Sequence, residues 1–314
     1  MGGSQGGVKC SGKSRNTMYW VIVVAMLILQ WNARSLIANG QDFKKFIYSQ
    51  KEKPDLLCIQ ESWLKPSLDF RINGYVAIRQ DRKDGAGGGC VTFVKEGIPY
   101  RNIDIGNELE CVVIEVWAER KNLVVINFYN PCRKLELSRL EDIEGLNRGS
   151  IVWCGDFNAH NTLWGSDKTD YNGQVVEELL DGKHLVCIND GRNTRIDVNT
   201  GKESVIDLTL VTNTLARLCE WDVYQEGTIG SDHYPIYSKI NIVMVHNTEN
   251  TGGKWIFGKA NWGNFMTESG KHLQQISDNM SIEMSNCKIL QGIMAAAISC
   301  IPKSIGRTKR KLVP

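Results

Sequence analysis

Gly155-Asp156-Phe157-Asn158-Ala159 directly follows the apolar run Ile151-Val152-Trp153-Cys154. The apolar run predicts a buried strand, and the acid and the amide come where that strand ends. A second string, Ser231-Asp232-His233, follows a glycine-containing turn and precedes another apolar run at 236–240. Carboxylate, amide and imidazole groups at neighbouring strand ends can serve the metal-assisted hydrolysis of a phosphodiester. These two strings therefore direct the search for further site residues.

The composition is that of a globular α/β protein with no strong charge bias. The chain has 314 residues, 42% of them hydrophobic, and a formal net charge of +2. This length allows one large domain with a substantial core and a smaller appendage, and the small net charge does not by itself indicate nucleic acid. The ten cysteines include no CxxC pair. Several lie in apolar runs, which favours free thiols in an intracellular protein over disulfides or structural zinc.

The N-terminal segment could be mistaken for a targeting signal. Basic residues Lys9, Lys13 and Arg15 precede the apolar run 18–29. This run is short for a membrane span, and no small-residue cleavage site follows it. We therefore interpret residues 1–25 as a leader outside the core, rather than as a secretory signal or an anchor, and expect no membrane association.

Short apolar runs separated by Gly, Asn, Asp and Pro extend from residue 26 to 240. The predicted strands are Met26–Trp31, Leu56–Gln60, Tyr75–Arg79, Gly89–Val94, Cys111–Trp117, Leu123–Tyr129, Ile151–Cys154, Ser204–Val211 and Ile236–Ile240. The predicted helices are Asp42–Gln50, Leu135–Leu146, Gly173–Asp181 and an apolar stretch at Cys287–Ile301. Many strands with few helices predict two stacked mixed sheets flanked by helices, rather than a doubly wound parallel sheet.

Polar residues end most of these apolar runs. They are Asn32, Glu61, Tyr129, Asp156 with Asn158, Asp207, and Asp232 with His233. Any one of them alone fits a cap or a turn. An acid inside a strand, such as Asp207, is costly to bury without a partner, so the set together predicts a site. We interpret His160, two residues after Asn158, as structural rather than catalytic.

The chain resembles a known superfamily through seven strings that occur in the superfamily's order. They are Leu29–Arg34, Cys58–Ser62, Gly87–Cys90, Asn127–Pro131, Gly155–His160, Ser204–Asp207 and Ser231–His233. Over residues 26–240 the chain is similar to the endonuclease/exonuclease/phosphatase superfamily. It looks most like the apurinic-like endonuclease domain of non-LTR (LINE-type) retrotransposons. The resemblance implies a four-layered α/β sandwich.

The resemblance also implies the metal and the residues around it. Glu61 matches the superfamily's metal-binding glutamate, Asn32 matches an asparagine near that metal, and Asp232 is a second candidate metal contact. A hard oxygen ligand suits Mg²⁺, with Mn²⁺ as an alternative. Thr194, Ser204 and Ser231 match positions beside the site and are expected to bind substrate.

The catalytic roles follow from the same resemblance. Asp156 matches the acid that orients or deprotonates the attacking water, and Asn158 matches the group that binds the scissile phosphate. His233 matches the histidine that stabilises charge on phosphorus, and Asp207 the acid that orients it. Tyr129 matches a tyrosine that binds phosphate.

The substrate must be argued separately from the fold. Apurinic endonucleases of base excision repair usually carry a tryptophan three residues before the acid at Asp207, whereas this chain has Ser204, as retrotransposon endonucleases do. The segment 241–314 contains a polar linker at 247–253, an aromatic stretch at 254–265 and a basic run at 307–311. It resembles the connector that leads to reverse transcriptase.

The resemblance therefore predicts a metal-dependent endonuclease that nicks one strand of double-stranded DNA and leaves a 3′-hydroxyl. An apurinic-site endonuclease, or another phosphodiesterase of the same fold, is the alternative enzyme. A non-catalytic transposon remnant that binds DNA is the alternative of another class. Action on chromosomal DNA would require the protein in the nucleus.

Overall fold

The computed structural model describes residues 20–22, 25–106, 109–117, 122–145, 149–242, 244–246 and 255–274, and part of 285–302. Its strands are β1 (Trp20–Ile22), β2 (Met26–Asn32), β3 (Leu56–Gln60), β4 (Tyr75–Gln80), β5 (Cys90–Lys95), β6 (Tyr100–Ile103), β7 (Glu110–Val116), β8 (Leu123–Tyr129), β9 (Ser150–Asp156), β10 (Leu185–Cys187), β11 (Arg195–Ile196), β12 (Glu203–Ser204), β13 (Asp207–Thr212), β14 (Cys219–Val223), β15 (Ile236–Ile240) and β16 (Met244–His246). Its helices are α1 (Leu36–Ser49), α2 (Leu137–Gly145), α3 (Tyr171–Lys183), α4 (Asn213–Ala216) and α5 (Trp262–Leu273), with 3₁₀ turns at Thr162–Trp164 and Phe257–Lys259.

Two six-stranded sheets form the centre of the fold. One has the strand order β14-β15-β2-β3-β5-β4, and the other has the order β10-β13-β9-β8-β7-β6. Each sheet is mixed, because β2 and β3 run parallel in the first, β8 and β9 run parallel in the second, and the other neighbours are antiparallel. Two short pairs, β1 with β16 and β11 with β12, lie outside both sheets.

Three hydrophobic clusters hold four layers together. Along β2, Met26 and Ile28 pack between the two sheets, whereas Leu29 and Trp31 point the other way, toward α1. This alternation follows from the two-residue period of a strand, and both faces are apolar because both are covered. On the far side of the second sheet, α2 and α3 pack on residues of β8, β9 and β13. The prediction of a four-layered α/β sandwich is confirmed.

The prediction of one strand from Ser204 to Val211 was wrong. Strand β12 ends at Ser204 and β13 begins at Asp207. Between them the amide groups of Ile206 and Asp207 both donate to the hydroxyl of Thr194, each at 3.1 Å. The hydroxyl of Thr194 therefore fixes the turn between β12 and β13, and this turn places Asp207 at the start of β13.

The first helix begins earlier than the period of its apolar residues predicts. Helix α1 starts at Leu36, because the hydroxyl of Ser35 accepts from the amide of Ala38 at 3.2 Å and caps it. Gly40 lies inside this helix, where glycine is usually unfavourable. In the structure it gives Phe70 room, since a Cβ at Gly40 would lie 2.3 Å from a carbon of that ring.

Other predictions fall partly outside the described residues. Residues 1–19 of the leader, the linker at 247–253 and the basic run at 307–311 lie there, and the helix predicted at 287–301 is described only in part. In the part that is described, the amides of Ile256 and Asn261 donate to the carbonyls of Pro302 and Cys300. No helix in the described ranges has the length and apolarity to cross a membrane. Cysteines 58, 90, 111, 132, 154, 187, 219 and 300 are free thiols.

Candidate active site

The ends of five strands meet at one edge of the sandwich. Asn32 is the last residue of β2, and Glu61 directly follows β3 in the same sheet. Tyr129 and Asp156 are the last residues of β8 and β9 in the other sheet. Asp207 is the first residue of β13. This strand runs antiparallel to β9, and its Asp207 lies opposite Asp156. The two sheets thus bring polar groups together from positions far apart in sequence.

Side chains from both sheets hold the carboxylate of Glu61. Its Oε1 accepts from Asn32 Nδ2 at 3.2 Å and from the hydroxyl of Tyr129 at 2.9 Å. Its Oε2 accepts from the indole N–H of Trp63 at 3.1 Å. Glu61 has φ +47° and Trp63 has φ +54°, a left-handed region that non-glycine residues seldom occupy. Backbone strain of this kind is typical of functional loops, and here it aims Glu61 at the sheet edge.

Asp156 is buried at the centre of the site and is 1% exposed. Its Oδ2 accepts from Asn32 Nδ2 at 2.8 Å and from Asn158 Nδ2 at 3.2 Å, and its Oδ1 accepts from the Asn158 amide at 3.0 Å. Burial and the nearby charge of Asp207 raise the pKa of Asp156 to about 7, against the lowering effects of His233 and these hydrogen bonds. A carboxyl with this pKa can exchange a proton near neutral pH.

His233 and Asp207 form a buried acid–histidine pair. His233 Nδ1 lies 2.8 Å from Asp207 Oδ2, and His233 Nε2 lies 4.0 Å from Asp156 Oδ2. Burial disfavours the imidazolium, but the charge and hydrogen bond of Asp207 outweigh it and raise the pKa of His233 to about 9. The imidazole is therefore positively charged at neutral pH and turns its free nitrogen toward Asp156.

Asp232 has a different environment from the other acids. Its Oδ2 accepts from Arg195 Nε at 3.0 Å and from Arg195 Nη2 at 2.8 Å. Its Oδ1 lies 3.6 Å from Arg34 Nη1 and 3.9 Å from His233 Nε2. Neither arginine was predicted to be a site residue, although Arg34 ends the string Leu29–Arg34, because neither ends an apolar run and neither is near residue 232 in the chain.

The hydroxyls of two predicted substrate-binding residues are engaged with the protein itself. The hydroxyl of Thr194 accepts from two backbone amides at the start of β13, as described above. The hydroxyl of Ser231 donates to the carbonyl of Asn32 at 2.7 Å and accepts from the amide of His233 at 3.2 Å. Ser204 is half-buried, and its carbonyl accepts from the amide of Thr194 at 2.9 Å. These residues shape the loops that carry Asp207 and His233.

Two neighbours of the site were not predicted, and one histidine is placed as expected. Trp63 follows the Gln60-Glu61-Ser62 string, and its contact with Glu61 has no signal in the sequence. The backbone carbonyl of Asn130 accepts from Asn158 Nδ2 at 2.8 Å. The side-chain Nδ2 of Asn130 donates to the backbone carbonyl of Phe157 at 3.0 Å. His160 lies outside the cluster, where its Nδ1 is 2.9 Å from Asp170 Oδ2.

The donor set fits a divalent cation of the hard, oxygen-binding kind. Asp156 and Asp207 offer carboxylate oxygens, and one atom of each lies within 4.8 Å of the other and of a ring nitrogen of His233. Asp207 Oδ1 is buried and has no hydrogen-bond partner among the described residues. Together with the half-buried Glu61, these acids concentrate negative charge, which a bound cation would offset. Asn32 presents its N–H₂ to two of the carboxylates, and Asp232 faces the arginines.

Parts of the chain are similar in sequence to known transposon proteins and endonucleases. A family model described as endonuclease-reverse transcriptase matches residues 123–237. A probable RNA-directed DNA polymerase from transposon BS of Drosophila melanogaster is 26% identical over 231 residues, which cover 70% of this chain and 24% of that protein. A DNA-(apurinic or apyrimidinic site) endonuclease of Dictyostelium discoideum is 30% identical over 162 residues, covering 44% of this chain and 43% of that protein. The chain thus spans less than half the length of these curated relatives.

A solved structure has the same fold. The endonuclease domain of TRAS1, a telomere-specific non-LTR retrotransposon, matches with a TM-score of 0.59 and 21% identity, over 70% of this chain and 99% of that domain. The strand ends that carry polar groups, the shared sandwich and the transposon relatives all agree with the resemblance found in the sequence. In sequence and fold the chain is similar to proteins of the endonuclease/exonuclease/phosphatase type, including those of non-LTR retrotransposons.

Proposed function

We propose that this chain is a metal-dependent DNA endonuclease that hydrolyses one phosphodiester bond and leaves a 3′-hydroxyl. The observation that carries the proposal is the convergence of Glu61, Asp156 and the Asp207–His233 pair at one buried strand edge. A metal-binding carboxylate, a group able to take a proton and a cationic imidazole are the parts that phosphodiester hydrolysis requires. The transposon and apurinic endonuclease relatives support DNA as the substrate.

In the proposed mechanism Asp156 receives the proton of the attacking water. Its pKa of about 7 lets it act as a base near neutral pH. Asn158 is held against Asp156 by its own amide, and its side chain is placed to donate to the scissile phosphate. The His233 imidazolium, oriented through Nδ1 by Asp207, stabilises the charge that develops on phosphorus. Tyr129 holds Glu61 and lines the phosphate side of the site.

We propose Mg²⁺ as the resident metal, with Mn²⁺ as the alternative. Glu61 would hold it, with Asn32 beside it. When bound, the ion would polarise the phosphate and neutralise charge on the leaving oxygen. The oxygen-rich donor set supports an oxygen-binding ion, because soft metals prefer thiolate and imidazole ligands.

Two further points belong to the proposal. We take double-stranded DNA as the target and a retrotransposon as the origin, and if the target is chromosomal the protein acts in the nucleus. The 30% identity to an apurinic or apyrimidinic site endonuclease favours one second candidate, cleavage at abasic sites. The lack of a tryptophan at position 204 argues for the first candidate.

A nicking assay tests the proposal. We expect purified protein to convert supercoiled plasmid to the open circle with Mg²⁺ and not with EDTA. Asp156→Asn and His233→Ala should each lower the rate by at least about 100-fold. The matched controls are Asp170→Asn and His160→Ala, which disrupt an acid–histidine pair that lies outside the site. Nicking by the site variants at the rate of the controls would contradict the proposal, and faster cleavage of an abasic than an intact duplex would favour the repair candidate.

A further inference from the structure

Asp232 is enclosed by arginines, and the exposure of the three side chains shows which charge reaches solvent. The side chain of Asp232 is 7% exposed, whereas those of Arg195 and Arg34 are 31% and 52% exposed. The carboxylate is therefore inside the cluster, and the guanidinium groups form its outer surface. Anything that approaches this side of the active site meets positive charge.

The protein holds Arg195 in a rigid frame. Arg195 forms a β-bridge with His233, and the amide of the next residue, Ile196, donates to the carbonyl of Asp232 at 2.8 Å. On the other side of Arg195, the amide of Tyr234 donates to the carbonyl of Thr194 at 2.8 Å. The guanidinium therefore starts from a backbone that is tied to the same loop as the catalytic histidine.

Arg34 comes from the opposite side of the site. It follows β2 with φ +42°, and its amide donates to the side-chain oxygen of Asn32 at 3.0 Å. Arg34 thus lies two residues after Asn32, whose side chain donates to the Glu61 carboxylate. Its Nη1 contacts Asp232, so Asp232 lies between two arginines that are anchored on different elements.

Each arginine keeps donors that the contact with Asp232 does not use. A guanidinium has five N–H donors in a planar fork. Arg195 directs Nε and Nη2 to Asp232, and Nη1 has no partner among the described residues. Arg34 makes one longer contact through Nη1. A phosphate oxygen is the anionic acceptor that such half-used forks bind best.

The charge balance of the site favours added positive charge where an anionic substrate enters. Asp156 and Asp207 are buried and Glu61 is half-buried, and a phosphodiester brings one more negative charge to these three acids. Among the described residues, His233 opposes them from inside the site. Arg34 and Arg195 more than neutralise Asp232 and add positive charge where the substrate must enter, which lowers the electrostatic cost of its approach.

We propose that Arg34 and Arg195 form an arginine clamp that binds a backbone phosphate of DNA, and that Asp232 is a positioning residue for this clamp rather than a metal ligand. The proposal rests on the proposed function, since it names how the same site holds its substrate. It assigns to Asp232 a role through the arginines, and to the arginines direct contact with the substrate.

Binding measured without metal tests the clamp. Wild-type protein and variants are titrated with a fluorescein-labelled duplex in EDTA at several salt concentrations. Arg195→Ala and Arg34→Ala should each weaken binding by about tenfold, and the Arg34→Ala/Arg195→Ala double variant should reduce the slope of log K against log salt by about 0.9, the value for one lost phosphate contact. The control is Arg192→Ala, because the side chain of Arg192 is 36% exposed, close to that of Arg195, and is already paired with Asp190 and Asp222.

Nicking by Asp232→Asn tests the positioning role. If Asp232 acts through the clamp, the Mg²⁺ concentration for half-maximal nicking stays within about threefold of wild type. Adding Asp232→Asn to the Arg34→Ala/Arg195→Ala double variant should then lower the nicking rate by less than about a further twofold. The effects of substitutions do not add when the residues act together. A tenfold rise in that Mg²⁺ concentration would show Asp232 to be a metal ligand and overturn its positioning role.

The outcomes separate this proposal from the proposed function. Nicking by wild type together with unchanged binding in both arginine variants and an unchanged salt slope in the double variant would overturn the clamp and leave the endonuclease intact. Binding that depends on both arginines, without nicking by wild type, would support the clamp and contradict the endonuclease. Absence of DNA binding by the wild-type protein would overturn the clamp directly. Circular dichroism of every variant, with Arg195→Lys as a second substitution, excludes loss of folding as the cause.

Discussion

Asn127 joins the two sheets beneath the active site, and its replacement by leucine is expected to destabilise the fold strongly. Its Oδ1 accepts from Gln60 Nε2 at 2.6 Å. Its Nδ2 donates to the carbonyls of Ile59 and Val91 and to the hydroxyl of Thr92, at 3.1–3.2 Å. Asn127 belongs to β8 of one sheet, and all four partners belong to β3 and β5 of the other. The amide therefore fixes how the two sheets align.

Leucine has the branched shape of asparagine without its polar atoms, so Asn127→Leu removes the hydrogen bonds and puts bulkier methyl groups in place of the amide atoms. Each of the four hydrogen bonds contributes about 0.5–1.5 kcal/mol, and a buried partner left unpaired costs about 1–3 kcal/mol. In the variant, Gln60 Nε2 can still donate to the carbonyl of Cys58, which lies 3.2 Å away, so this amide is not left without a partner. We expect the free energy of unfolding to fall by about 3–5 kcal/mol. In a domain of this size this lowers Tm by roughly 10 °C.

Urea unfolding followed by tryptophan fluorescence measures the loss, and thermal circular dichroism measures the change in Tm. Gln30→Met is the matched control. Gln30 is 2% exposed, and neither atom of its amide has a hydrogen-bond partner in the described part of the chain. Its replacement by an apolar side chain should change the free energy of unfolding by less than about 1 kcal/mol or raise it.

The alignment of the sheets also places the site. Asn127 is two residues before Tyr129, and Gln60 directly precedes Glu61, so Asn127→Leu should also weaken the contact between Tyr129 and Glu61 and slow nicking. An Asn127→Leu protein that is as stable as Gln30→Met would refute the reasoning that this buried amide holds the sheets in register.

Two further predictions concern stability. Gly155→Ala should lower the free energy of unfolding by at least about 2 kcal/mol, because a Cβ there would lie 1.9 Å from the carbonyl oxygen of Phe128. Gly182→Ala in α3 should raise it by about 0.5–1 kcal/mol, because a Cβ there meets nothing within 4 Å, and urea unfolding compares the two variants. Burial opposes ionisation of Asp170, but hydrogen bonds from Gly173 and His160 outweigh it and lower its pKa. Wild type should therefore be more stable than Asp170→Asn at neutral pH. It should lose that advantage as the pH falls below 3.8, the ordinary Asp pKa, and then through the lowered pKa of Asp170 in the folded protein. Equal melting temperatures of the two proteins from pH 7 to 2.5 would contradict this.

The internal strands were predictable because both of their faces are buried. Strands such as β3 and β8 are continuous apolar runs, and their predicted bounds match the observed ones. Of the four edge strands of the two large sheets, β4 was predicted, and β6, β10 and β14 were missed. In β6 and β14 exposed and half-buried residues dominate, so neither has an apolar run that marks it. Edge strands are paired on one side only, and their residues need little apolar character.

The site was predictable to the extent that its groups end apolar runs. Glu61, Asp156 and His233 have that position in the sequence, and the structure brings them together. Arg195 does not have it, because its place in the site depends on β11 and on the loop that carries Asp232. An ion pair between residues that are 37 positions apart leaves no periodic signal.

The sequence by itself determined the kinds of groups at the strand ends, since buried strands and the polar residues that end them are encoded locally by hydrophobic pattern. It also determined the four-layered sandwich, because runs apolar on both faces require cover on both sides. Only the tertiary structure decided which charges are neighbours. Sheet register places Asp207 opposite Asp156, and the packing of separate loops surrounds Asp232 with Arg34 and Arg195. Electrostatic energy depends on distances in space, and those distances are set by the fold rather than by separation along the chain.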